Sequence, residues 1–120
     1  MSLLLITHDL GIISENADSV AIMYAGRLME LAKVGELFSN PRNPYTRGLL
    51  ESIPREKGAA LRPIPGFVPR PDALPPGCKF SDRCRFVIPE CRKEEPAFEP
   101  VSEGHYVRCI RTKELPEWNY

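Results

Sequence analysis

The chain has 120 residues, enough for one small domain or for pieces of two. Sixteen basic residues balance sixteen acidic ones, which excludes the basic excess of a dedicated nucleic-acid binder. Thirteen prolines, concentrated from Pro41 onward, separate a regular first third from a loop-rich remainder.

No signal peptide is expected. The apolar start, Leu3 to Ile6, is too short for a secretory core and lacks a basic lead-in. No run approaches the length of a membrane-spanning helix. These features point to the cytosol, where structural disulfides are rare.

Leu3-Leu4-Leu5-Ile6 is fully apolar and predicts a strand buried on both faces, as in a parallel sheet. Thr7-His8-Asp9 follows, at the sheet edge where α/β folds bind ligands. Asp9 is placed to cap a helix running from Leu10 to about Ala17. Ser19–Tyr24 and Arg27–Leu31 flank the turn Ala25-Gly26 and predict a hairpin. Val34 to Ser39 predicts a short helix stopped by Asn40-Pro41. Asn43 is a good cap, and Pro44 suits the first position of the next helix. Tyr45, Leu49 and Leu50 give that helix an apolar face, more suited to a core than to an interface. Pro54 ends it.

From Arg55 to Pro76 no periodicity emerges, and the prolines predict an extended strap over another surface. Four cysteines follow: Cys78, Cys84, Cys91 and Cys109, with gaps of five, six and seventeen residues. A short strand from His105 to Ile110 is expected to bring Cys109 back to the other three. Trp118 and Tyr120 are expected in a frayed tail.

Four thiolates can hold zinc or an iron–sulfur cluster; the four cysteines can also pair as two disulfides or stay as free thiols. The gaps are too wide for a zinc knuckle and differ from close-packed ferredoxin runs, so spacing alone does not choose. Lys79, Arg83, Arg85, Arg92 and Arg108 can offset thiolate charge or form a solvated basic face. His105 can complete a Cys3His site, but four cysteines already suffice, and a structural, hydrogen-bonding role is favoured.

Leu3-Leu4-Leu5-Ile6-Thr7-His8-Asp9-Leu10 resembles the switch-histidine stretch of ATP-binding-cassette ATPases. Ala17 to Arg27 is similar to the hairpin that follows it there. Asn40-Pro41-Arg42-Asn43-Pro44-Tyr45-Thr46-Arg47-Gly48-Leu49-Leu50 resembles the extension of oligopeptide and dipeptide importer ATPase subunits. So do Pro63-Ile64-Pro65-Gly66, Leu74 to Phe80 with Arg83-Cys84, Cys91-Arg92, Pro96 and Gly104 to Cys109. Asn43 departs from the pattern, which often has histidine there.

The resemblance implies a role for His8 in contacting the γ-phosphate of ATP and positioning the attacking water. It implies Cys78, Cys84, Cys91 and Cys109 as ligands of a [4Fe–4S] cluster, with zinc as the alternative metal. The implied fold class is an α/β fragment, the end of such an ATPase domain over residues 1–40. An irregular, proline-rich, cysteine-ligated module follows over residues 41–120. The phosphate loop, acidic residues and signature segment of these ATPases are absent from the 120 residues. The chain is therefore expected to be the carboxyl-terminal part of an ATP-binding subunit for peptide uptake, without hydrolysis of its own. The implied partners are a like ATPase subunit and membrane permease subunits, with no nucleic acid. The implied place is cytoplasmic, peripheral on the inner face of the cell membrane. Exposed strand edges would favour self-association of the chain alone. The alternative is a free-standing metal-binding regulatory or adaptor module.

Overall fold

A computed structural model describes residues 4–7, 10–52 and 64–118. Helix α1 spans Leu10–Asn16 and buries Leu10. Strand β1, Ser19–Tyr24, alternates exposed and buried residues, sending Val20, Ile22 and Tyr24 inward. Its turn places Ala25 at φ 50° and Gly26 at φ 78°. Two successive positive φ values match the right-handed twist of the flanking strands and close a tight hairpin. Strand β2, Arg27–Lys33, pairs antiparallel with β1, with a bulge between Ile22 and Met23. Helices α2, Val34–Ser39, and α3, Pro44–Glu51, follow.

The remaining strands come from the far end of the chain. Strand β3 spans Glu99–Ser102 and β4 spans His105–Val107. They complete one antiparallel sheet in the order β1-β2-β4-β3. The expected strand from His105 to Ile110 therefore ends at Val107, although the Arg108 amide still donates to the Met29 carbonyl at 2.8 Å. The sheet joins residues on both sides of position 40.

The core gathers Val20, Ile22, Tyr24, Met29, Ala32, Leu37, Leu50 and Phe80. Tyr24, Tyr45 and Phe80 pack as an aromatic triangle with centroids 4.7–5.3 Å apart. Tyr45 and Leu50 thus face the core, as their spacing predicts.

Two expectations are corrected. Residues 4–7 form no strand, and Leu4 and Ile6 are 85% and 86% exposed. No described strand lies beside them, and an unpaired strand leaves its backbone groups to water. The tail is not frayed through Trp118: Arg47 lies over its ring at 5.6 Å and donates to the Pro116 carbonyl at 2.7 Å. Tyr120 lies outside the described residues, as do His8, Asp9 and residues 53–63. The strap from 64 to 76 carries no helix or strand. Ile64 packs against the core beside Gly48, and Pro65 accepts a hydrogen bond from Arg83 at 2.9 Å.

Candidate functional site

All four cysteines line one cavity, beside Phe80, Ser81, Phe86, Val87, Arg108 and Arg111. Its volume is about 20 Å³, more than one water requires. All four are free thiols, so the disulfide alternative is not realised.

Local backbone geometry delivers each one. Gly77 sits at φ 70°, and a Cβ there would stand 2.3 Å from the Cys91 carbonyl oxygen. Only glycine allows this approach. It lets the Cys78 amide donate to the Cys91 carbonyl at 2.7 Å, tying the first cysteine to the third. A 3-10 turn, Ser81–Arg83, leads into Cys84. A second, Pro89–Arg92, carries the buried Cys91. Cys109 follows β4 directly. Asn43 holds that segment: its side chain accepts from the Tyr45 amide and donates to the Met29 and Arg108 carbonyls, each at 3.1 Å. The departure at position 43 is thus both a helix cap and a brace for Cys109.

The sulfurs accept from the backbone two residues on. The Phe86 amide lies 3.4 Å from Cys84 Sγ, and the Arg111 amide lies 3.4 Å from Cys109 Sγ. The Phe80 amide bonds Cys78 in the same way. Such donors favour the thiolate. Burial outweighs these donors and the nearby Lys79 and Arg111 charges: it raises the Cys78 thiol, pushes Cys84 up to about 11 and Cys109 up to about 12. Mutual repulsion adds to it, since Cys109 feels Cys78, Cys84 and Cys91.

Among the described residues, no three His, Cys, Asp or Glu side chains are grouped so as to hold a metal ion. The sulfurs share a cavity without meeting at one point, against the expectation of a single convergent site. The thiols stand around the cavity, with apolar walls between them.

Of the flanking cations, Lys79 lowers the Cys78 thiol as expected, while the others are held by contacts elsewhere. Lys79 donates to the Pro75 carbonyl, Arg85 pairs with Glu51 at 2.6 Å, and Arg92 pairs with Asp82 at 2.7 Å. Arg108 donates to the carbonyls of Leu28 and Pro96. They neither form a free basic face nor all turn to the sulfurs. Arg111, which sequence reasoning missed, lines the cavity, lowers the Cys84 thiol and pins the Phe86 carbonyl at 2.6 Å.

His105 is no ligand of the cysteines. Its Nε2 lies 2.5 Å from Glu30 Oε2, with both side chains buried. Ser81, also missed, is 1% exposed, and its Oγ has no hydrogen-bond partner among the described residues. Its only sequence signal is a polar residue inside the short loop between two cysteines.

The chain matches the family described as the C-terminal region of oligopeptide/dipeptide transporters over residues 29–91. It is 49% identical over 113 positions to the oligopeptide transport ATP-binding protein OppD of Mycobacterium tuberculosis, covering 92% of this chain and 18% of the relative. It is 48% identical over 115 positions to the oligopeptide transport ATP-binding protein AppD of Bacillus subtilis, covering 94% and 35%. A Brucella ovis protein named for peptide import and ATP binding is 45% identical over 123 positions, covering 96% and 36%. The chain thus spans about a third or less of the length of these curated relatives. None of the three is named as a free-standing metal-binding module. With the family match over half its length and these relatives along nearly all of it, the chain belongs to the oligopeptide/dipeptide transporter C-terminal-region family.

Proposed function

We propose that this chain serves within an ATP-binding subunit that drives oligopeptide or dipeptide uptake through membrane permease subunits, and that its four cysteines hold a [4Fe–4S] cluster. The names of the relatives support the transport role. No helix among the described residues is long and apolar enough to cross a membrane. By the same reading the subunit sits peripherally on the cytoplasmic face, beside a like ATPase subunit. His8 takes the γ-phosphate contact by its place in the motif Leu5-Ile6-Thr7-His8-Asp9.

The observation that carries the cluster reading is the sharing of one cavity by all four cysteines. One zinc ion, with Zn–S distances near 2.3 Å, needs its sulfurs within roughly 4 Å of each other. A four-iron cluster takes one thiolate per iron and spreads its ligands further apart. Four thiols lining one cavity are what support the cluster reading. The residues fit it in other ways. Backbone amides already donate to three sulfurs, Arg111 supplies positive charge beside Cys84, and the buried Ser81 Oγ has no partner among the described residues. When bound, the cluster supplies a rigid cross-link, and its ligation energy becomes folding energy for a stretch poor in apolar core.

The test uses the full-length subunit assembled with its permease. His8→Ala should abolish ATP-driven peptide uptake while leaving ATP binding largely in place. Cys84→Ser should lose iron and loosen residues from Arg70 onward. Normal uptake by His8→Ala, or unchanged iron in Cys84→Ser, contradicts the respective assignment.

A further inference from the structure

We infer that Ser81 is a positioning residue that donates its hydroxyl hydrogen to a sulfur of the cluster; this rests on the cluster reading above. Ser81 lies in the loop between Cys78 and Cys84 and lines the cavity they share. It is 1% exposed, and its Oγ finds no partner among the described residues. A buried hydroxyl without a partner is costly, so such groups are rare and call for an explanation.

Local capping does not supply one. In a 3-10 turn a serine hydroxyl often bonds the carbonyl three residues back. Here the Cys78 carbonyl takes the Ser81 amide at 3.1 Å, and the hydroxyl is left over. The free thiols around the cavity are weak acceptors. A sulfur carrying the negative charge of a cluster is a strong acceptor. The hydroxyl is therefore an orphan in the metal-free chain and a donor in the loaded one.

Hydrogen bonds to cluster sulfurs help set reduction potential. A donor stabilises the more negative, reduced form and raises the potential. Removing it should lower the potential without harming the metal-free fold.

The experiment compares the chain with Ser81→Ala and Ser81→Thr, all prepared without oxygen. Iron, acid-labile sulfide, the midpoint potential of the one-electron couple, and thermal stability of the metal-free chains are measured. The proposal expects a lower potential in Ser81→Ala, restored in Ser81→Thr, with metal-free Ser81→Ala at least as stable as its parent. Cluster loss from a folded Ser81→Ala, restored in Ser81→Thr, also supports it. An unchanged potential in loaded Ser81→Ala overturns the donor role while leaving the cluster standing, and is the result expected if a trapped water satisfies the hydroxyl. A large loss of metal-free stability in Ser81→Ala overturns it too, because the hydroxyl then has a structural partner. A parent chain without iron and sulfide overturns the cluster reading and the inference with it.

Discussion

His105 and Glu30 form a buried pair, with Nε2 2.5 Å from Oε2, that fastens β4 to β2. Glu30 also accepts the amides of Arg42 at 2.8 Å and Asn43 at 3.1 Å, at the start of α3. One carboxylate thus joins the hairpin, the helix that follows it and the returning strand that leads to Cys109. Glu30→Gln leaves His105 and two buried amides without the charge they face. Removing one member of such a pair costs about 3–5 kcal/mol. Chemical denaturation should show a loss of this size; a change under about 1 kcal/mol would contradict the role given to the pair.

The same pair sets a pH dependence. The hydrogen bond that the His105 imidazole donates to Glu30 raises its pKa above the usual 6.5; burial opposes this, and the charges of Glu30 and Glu36 add to it. The folded chain then holds a proton that the unfolded chain has released. This stabilisation is fully present below about pH 6.5 and is lost as pH rises through the raised folded value. Unfolding free energy should fall across that window, by at most about 1.4 kcal/mol per pH unit for one proton. His105→Gln should remove that part of the slope. A slope identical in parent and variant would show that another group is responsible.

Gly77 tests the architecture of the cysteine loop. Alanine at φ 70° costs about 1–2 kcal/mol before any clash is counted. Its Cβ would also meet the Cys91 carbonyl and the Arg92 backbone. Gly77→Ala should break the Cys78–Cys91 hydrogen bond and lose metal, with the β1–β2 hairpin retained. Amide exchange resolved along the chain separates the two regions; full metal content in the variant would rule the idea out.

Thiol reactivity follows from burial. Cys84 and Cys109, with thiols pushed up to about 11 and about 12, carry little thiolate near neutral pH. Iodoacetamide at pH 8 should alkylate both far more slowly in the folded, metal-free chain than in the denatured one. Mass spectrometry follows each site, and equal rates in the two states would contradict the burial described.

Much of the fold was legible because periodicity and caps are local. Alternation in Ser19–Tyr24, the Ala25-Gly26 turn and the Asn43-Pro44 start all appear where the sequence puts them. Strand β3 was not legible, since Pro100 argues against a strand. It is tolerated because β3 lies at the sheet edge, where a missing amide costs no central ladder bond. Leu4 to Ile6 misled in the opposite direction, because an apolar run signals a strand without saying what pairs with it. The cysteines were found from spacing and resemblance. Arg111 emerged only when its loop was brought to the cysteines, and Ser81, though it lies between Cys78 and Cys84, stood out only once its burial was seen.

The central claim is that four cysteines from two distant parts of the chain hold one cluster. Iron and acid-labile sulfide, measured per chain on protein purified without oxygen, test it most directly. The account predicts a brown protein with about four irons and four sulfides per chain, bleached by air and lost in Cys→Ser variants. A well-folded chain carrying a single zinc, or four reactive thiols and no iron, would contradict it.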